Sequence, residues 1–128
     1  MSSGSVSKTN LILDVRGKSK IICEIKKHLS PKTVGILLRS LPLEGNAHFF
    51  GNSIAYLETP IESGIERPKS EFKKGDIAFL PSGGSICFFL NNSEPGKKMT
   101  PIGKIISNID ALNEVKAGDV FSLYVDTG

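Results

Sequence analysis

The sequence is poor in the residues that nucleic-acid-binding surfaces use. It has no tryptophan, two tyrosines and only three arginines, against 13 lysines. Arginine forks hold phosphate groups and exposed aromatic rings stack on bases, on surfaces that concentrate positive charge. Here the net charge is only +3, and the lysine pairs are spread along the chain. We therefore expect no nucleic-acid partner.

Cysteine and histidine are equally scarce, with two residues of each. Cys23 and Cys87 lie inside apolar runs, and neither has another cysteine or a histidine at the spacing of a metal site. His28 and His48 belong to no zinc motif. The sequence therefore predicts no metal, no other cofactor, and two reduced thiols in a cytoplasmic protein. A long-range disulfide between the two cysteines is the alternative.

Long apolar runs are missing as well. A membrane-spanning helix needs roughly 18 consecutive apolar residues, and no run of this sequence approaches that length. Residues 1–8 are rich in serine and glycine and lack the apolar stretch of a secretory signal. We expect residues 1–8 to be disordered, residues 9–126 to form a single domain, and the protein not to bind membranes.

The first patterned segments predict a β-hairpin. Apolar residues alternate with polar ones over residues 9–15 and again over residues 21–25, which is the period of a strand with one buried face. Residues 16–18, Arg-Gly-Lys, have the composition of a turn between them.

Residues 30–42 predict the main helix. Ser30 is a favourable N-cap, Pro31 suits the first helical position, and Pro42 ends the segment. The apolar residues between them recur at the spacing of one helix face: Val34, Leu37, Leu38 and Leu41. An aliphatic stripe of this kind indicates a helix that packs on the core.

The rest of the chain predicts more strands and a second, short helix. Further strands are expected at residues 47–50, 53–57, 77–80, 86–90, 102–106 and 120–125, with the short helix at 109–115. Polar residues with proline and glycine predict long loops at 59–74 and 91–100. This order is typical of a mainly β protein, a closed antiparallel eight-stranded barrel with one main helix and one short helix.

Several phrases of the sequence resemble those of the cyclophilins and occur in the same order. The matching segments are residues 20–24, 30–34, 75–79, 84–90 and 102–105. The resemblance covers about residues 9–125 and is closest to the small archaeal and bacterial cyclophilin-like proteins of unassigned function. These share the phrase Gly-Asp-Ile-x-Phe-x-Pro-x-Gly, which stands here at residues 75–83. The resemblance implies the cyclophilin-like barrel.

The same resemblance implies that efficient prolyl isomerase activity is absent. Cyclophilins hold a substrate proline in an apolar pocket, while an arginine in a Phe-His-Arg phrase hydrogen-bonds toward the imide nitrogen. The corresponding stretch here is Ala47-His48-Phe49-Phe50, so Phe49 stands in place of that arginine. Loss of such a donor lowers a rate by about a hundredfold or more.

The resemblance nevertheless implies that part of the ligand groove is retained in this chain. Phe89 corresponds to the pocket phenylalanine of the family and Cys87 to a pocket glutamine, although both residues also fit a simple role in the barrel core. Tyr56 and Glu58 stand near a second pocket glutamine, and Arg67 is the arginine that a loop brings closest to the groove. The groove candidates are therefore Phe89, Cys87, His48, Phe49, Tyr56, Glu58 and Arg67.

Three functions fit these observations. The first is a binding protein whose groove takes a peptide or a small apolar molecule without efficient isomerisation. The second is a weak peptidyl-prolyl cis-trans isomerase that uses Arg67 or His48 in place of the missing arginine. The third is an interaction protein with a closed groove, which contacts another protein through the loops at 59–74 and 91–100. The sequence leaves the oligomeric state open.

Overall fold

Eight antiparallel strands close into a barrel in the computed structural model, which describes residues 8–128. They are β1 (Lys8–Val15), β2 (Ser19–Lys26), β3 (Leu43–Phe50), β4 (Ile54–Glu58), β5 (Asp76–Leu80), β6 (Ser85–Phe89), β7 (Thr100–Ser107) and β8 (Val120–Val125). Around the barrel the order is β1-β2-β7-β5-β6-β4-β3-β8, and β8 pairs with β1 to close it. The predicted fold class is confirmed. Residues 1–7, part of the segment predicted to be disordered, lie outside the described residues.

The main helix is confirmed as α1 (Pro31–Ser40), which packs Val34 and Leu37 against the barrel core. Ser30 takes the N-cap position, but its hydroxyl donates to the carbonyl oxygen of Pro101 on β7, at 2.7 Å, and caps no helix amide. This side chain therefore attaches the helix to the barrel. The predicted short helix is a 3-10 helix, Ile109–Glu114.

Side chains of β6 are buried on both sides of the sheet. Those that point inward, such as Phe88, join the main core inside the barrel. Those that point outward, such as Phe89, join a second apolar cluster on the outer surface. The members of this outer cluster are Ile54, Phe72, Ala78, Leu80, Cys87, Phe89 and Met99. A strand that is apolar throughout, as predicted for residues 86–90, is thus explained by two cores, one on each face.

The long connection between β4 and β5, residues 59–75, contains no helix or strand of its own, as predicted for residues 59–74. We call it the β4–β5 loop. Its Glu66 carboxylate accepts hydrogen bonds from the backbone amides of Lys32 and Thr33, at 3.1 and 2.8 Å. These amides belong to the first turn of α1, which leaves them without partners inside the helix. The loop therefore supplies the helix cap that Ser30 does not.

Substitution of Glu66 by alanine is expected to lower the free energy of unfolding by about 1 kcal/mol at pH 7, because the helix amides lose their acceptor. Burial raises the pKa of Glu66, but the hydrogen bonds from Thr33 and Lys32 outweigh it, so the folded pKa lies below the usual 4.5. The stabilisation is therefore present above about pH 4.5 and is lost as the pH falls through the folded pKa.

Urea unfolding of the Glu66→Ala protein and the wild type at several pH values measures this difference. Glu62→Ala is the matched control, since Glu62 is an exposed carboxylate of the same loop. A difference between wild type and Glu66→Ala that stays constant from pH 7 to well below pH 4.5 would contradict the assignment of the cap to the ionised carboxylate.

Candidate functional site

The outer surface of β3, β4, β6 and β5 brings together most of the predicted groove residues. We call this surface the outer face. On it, His48 is opposite Tyr56, and Tyr56 is opposite Cys87. One row further along, Ile54 is opposite Phe89. Residues paired in this way on neighbouring strands point to the same side of the sheet, so their side chains lie next to one another.

Phe89, the predicted pocket residue, is covered by the β4–β5 loop. The ring of Phe72 stacks on the ring of Phe89 with centroids 4.6 Å apart and planes 17° apart. Phe89 has no exposed surface, and Phe72 is only 4% exposed. Met99, from the connection between β6 and β7, completes the cover and is also fully buried. A ligand can therefore reach Phe89 only where Phe72 has moved away.

Cys87 lies beside Phe89 on the outer face, whereas Cys23 points into the barrel core. Both cysteines are free and buried, so the alternative of a disulfide between them is wrong. Burial raises the pKa of each thiol to about 12. Since the thiolate is the reactive form, the folded protein holds both cysteines in an unreactive state.

We expect neither thiol to react with Ellman's reagent at pH 8 in the folded protein, and both to react at once in denaturant. Counting the chromophore released before and after addition of guanidinium chloride tests this. One equivalent released promptly without denaturant would show that one cysteine is more accessible than the structure indicates.

Three aromatic side chains stand in a row along the half-exposed edge of the outer face. Tyr56 lies between His48 and Phe50, with ring centroids 5.2 Å from the first and 4.3 Å from the second. The imidazole Nε2 of His48 is 3.7 Å from a carboxylate oxygen of Glu58. This exposed pair contributes little stability. It offers a ligand one donor and one acceptor beside an apolar surface.

A cavity of about 240 Å³ opens next to the covered part of the outer face. Its apolar walls include Phe50, Ile54, Pro95 and Met99. At its rim, the ammonium group of Lys97 lies 5.4 Å from the ring centroid of Phe50, within the range of a cation–π contact. Ligand pockets usually measure about 300–1,000 Å³. This cavity is therefore suited to one ring or one amino-acid side chain.

Two of the predicted groove residues lie elsewhere. Phe49 points to the opposite side of β3 from His48 and Phe50, and packs against the interior core. Strand alternation puts Phe50, not Phe49, on the outer face. Arg67 donates from its guanidinium to the backbone carbonyl of His28, at 3.1 Å, which fixes it at the start of α1 rather than at Phe89.

Sequence reasoning missed Phe72, Phe50, Met99 and Lys97 as residues of this site. For Phe72 a signal exists, since it is the only aromatic residue in the polar segment 59–74. A single large apolar residue in such a segment indicates a point where the loop contacts the folded domain. No comparable signal distinguishes the other three.

Two kinds of site are absent from the part of the chain that the structure describes. Residues 8–128 contain no group of three or more histidine, cysteine, aspartate and glutamate side chains arranged to hold a metal ion. Over the same range, no helix is both long enough and apolar enough to cross a bilayer.

Known proteins resemble this chain in sequence pattern and in fold. Its structure is similar to that of the hypothetical protein AF2241 from Archaeoglobus fulgidus, with a TM-score of 0.78, 22% identity, and coverage of 94% of this chain and 96% of that one. It is also similar to McbB in complex with tryptophan, with a TM-score of 0.73 and 14% identity, over 92% of this chain and 45% of McbB. At these identities the similarity shows the fold alone.

The family assignment comes from the sequence itself. No curated protein sequence matches the chain. The Cyclophilin-like family model, in contrast, matches residues 9–123, which include β2 to β7 in full and all of β1 and β8 except their outer ends. The chain therefore belongs to the cyclophilin-like family.

Proposed function

We propose that this protein is a binding protein whose ligand site is the outer face, and that the ligand is a peptide or a small apolar molecule. The observation that carries the proposal is the stacking of Phe72 on Phe89. This contact supports the proposal, because it places an aromatic ring from the β4–β5 loop against the surface around Phe89. The cavity beside it adds a second apolar position, bounded by Phe50 and Met99.

The tryptophan complex of McbB supports the proposal by analogy, because a protein of the same fold is there described with an aromatic amino acid. Fold similarity alone does not transfer a ligand from one protein to another. The residues of the outer face in this chain are apolar and aromatic, with a few polar groups at the rim. That combination is the usual composition of a ligand pocket.

The placement of the three arginines supports the absence of efficient isomerase activity. Arg16 pairs with Asp119 at 3.1 Å, on the far side of the barrel between β1 and β8. Arg39 is on α1, and Arg67 is bonded to the carbonyl of His28. Electrostatic catalysis needs a charged donor already oriented toward the reacting group. None of the three arginines supplies such a donor on the outer face.

An NMR experiment tests the proposal in two arms. In the first, 8-anilinonaphthalene-1-sulfonate is titrated into the isotope-labelled protein, and we expect shifts concentrated at Ile54, Tyr56 and Met99. In the second, short Ala-Pro and Gly-Pro peptides are mixed with a catalytic amount of protein, and we expect no added cis/trans exchange. Exchange cross-peaks that depend on the protein would instead establish the weak isomerase.

Matched variants locate the binding. Phe50→Ala removes a wall of the cavity and is expected to weaken dye binding at least tenfold. Ile106→Ala removes an exposed apolar side chain on β7, outside the outer face, and is expected to leave binding unchanged. Shifts centred away from the outer face, or equal effects of the two variants, would overturn the proposal.

A further inference from the structure

We propose that residues 69–72 of the β4–β5 loop are an internal peptide ligand of the outer face, and that the external ligand is an extended peptide with an aromatic residue that displaces them. The inference rests on the proposed function and narrows its ligand from a peptide or a small apolar molecule to a peptide. The bound loop shows which backbone and side-chain groups the site recognises.

Two isolated antiparallel bridges join the loop to the connection between β6 and β7, outside the named strands. Phe72 and Ser93 exchange two hydrogen bonds, from each amide to the other's carbonyl, both at 2.9 Å. Lys69 and Met99 do the same at 2.9 and 3.0 Å. Reciprocal pairs of this kind are the hydrogen-bonded pairs of an antiparallel ladder. In a bound peptide, backbone bonds of this kind supply affinity, and side-chain pockets supply specificity.

The side chains of the segment supply one anchor. Phe72 is buried against Phe89, while Ser70 and Glu71 are exposed. The ammonium group of Lys69 lies 5.4 Å from the centroid of the Phe72 ring. The site therefore recognises a single aromatic ring. The exposed side chains between the two backbone bridges add no selectivity for particular peptide sequences. A peptide with an aromatic residue meets the same requirements.

The segment can leave without unfolding the barrel. It belongs to a connection that has no helix or strand of its own, and residues 67–71 are exposed. Phe72 is therefore the main apolar contact to be broken, together with two backbone bridges. Local openings of this size need much less free energy than global unfolding. An open depression of about 910 Å³ borders the segment and is lined by residues 68–73 themselves, together with Asp76 and residues 92–94.

An internal ligand lowers the apparent affinity for an external one. The fraction of molecules with the site open sets the apparent affinity, so removal of the internal competitor raises it. The internal ligand is tethered to the site as part of the same chain, so its effective concentration there is high. A free peptide must therefore bind more tightly to a protein that lacks the Phe72 ring than to the wild type.

The test uses a peptide with the sequence of residues 67–74, Arg-Pro-Lys-Ser-Glu-Phe-Lys-Lys, blocked at both ends and carrying a fluorophore. Fluorescence anisotropy measures its binding to the wild type, to Phe72→Ala, and to the control Ile65→Ala, which removes an exposed apolar side chain of the same loop. We expect the peptide to bind Phe72→Ala at least tenfold more tightly than the other two proteins. A peptide with alanine in place of phenylalanine is expected to lose this binding.

Alkylation of the two thiols measures independently whether the segment has left the outer face. Cys87 belongs to the cluster that Phe72 covers, and Cys23 belongs to the interior core. Iodoacetamide is therefore expected to modify Cys87 at least tenfold faster in Phe72→Ala than in the wild type, with no change at Cys23. The peptide is expected to restore the protection of Cys87. Faster modification of both cysteines would show general loosening of the fold and would overturn the inference.

Other outcomes separate this inference from the proposed function. Equal binding of the two peptides, or equal binding to wild type and Phe72→Ala, would overturn the peptide ligand, while dye binding at the outer face would still support a small apolar ligand. A dimer of the wild type in solution that exchanges its loops would assign the site to a second copy of the chain and would also overturn it. If Phe72→Ala does not fold, Phe72→Leu takes its place, with a smaller expected gain in peptide affinity.

Discussion

Replacement of Gly103 by alanine is expected to lower the free energy of unfolding by about 3 kcal/mol or more. Gly103 on β7 is opposite Ile25 on β2. A Cβ atom at this position would overlap the carbonyl oxygen of Glu24 and lie 3.0 Å from Cα of Ile25. Both neighbours are backbone atoms, so no side-chain rotation relieves the overlap. The strands would have to separate beside the irregularity that already interrupts their register between Ile22 and Cys23.

Urea unfolding followed by circular dichroism measures this effect. Gly64→Ala is the control, because a Cβ atom there meets no atom within 4 Å and the glycine has no positive φ. That substitution is expected to leave the stability unchanged or slightly higher, since alanine restricts the unfolded chain more than glycine does. Similar stabilities for the two variants would mean that β2 and β7 are further apart than in this structure.

Phe89→Ala is expected to lower the free energy of unfolding by about 3–5 kcal/mol, because it empties a fully buried position. The neighbouring Phe88→Ala is expected to have a similar effect, since Phe88 is equally buried inside the barrel, edge-on to Phe121 with centroids 6.0 Å apart. The two substitutions remove the same side chain from the same strand, on opposite faces. They therefore separate the role of the outer face from general stability.

The distinguishing measurements are alkylation of the thiols and dye binding under conditions where both variants are folded. Phe89→Ala is expected to accelerate modification of Cys87 and to weaken binding of 8-anilinonaphthalene-1-sulfonate. Phe88→Ala is expected to do neither. If Phe88→Ala changed both readings as much as Phe89→Ala, the outer cluster would not be a unit separate from the barrel core.

Part of the barrel could be predicted from the sequence because three strands, β1, β2 and β8, have a clear two-residue period. β1 and β2 show it, with a polar face toward solvent. β3 was predicted to begin at residue 47 but begins at Leu43. Its first half, Leu-Glu-Gly-Asn, has little strand propensity and is held by pairing with β8, far away in the sequence. Such long-range pairing leaves no local pattern.

The site could be predicted only in part, for two different reasons. Phe89 and Cys87 were correctly placed on one strand face, because their spacing of two residues fixes it once β6 is recognised. Phe49 was predicted as a groove residue, because matching of a short phrase leaves a one-residue uncertainty that reverses the side of the sheet. In the structure it packs against the interior core. Phe72 belongs to a loop with no period, so its contact with Phe89 exists only in the folded chain.

The position of β8 has a consequence for synthesis of the protein. β8 is the last strand in chain order, and it is hydrogen-bonded to both β1 and β3. A nascent chain on the ribosome that lacks β8 therefore presents two open strand edges, which attract other unpaired strands. Translation must pass residue 125 before these edges find their partner. The barrel can consequently close only after its last strand has been translated.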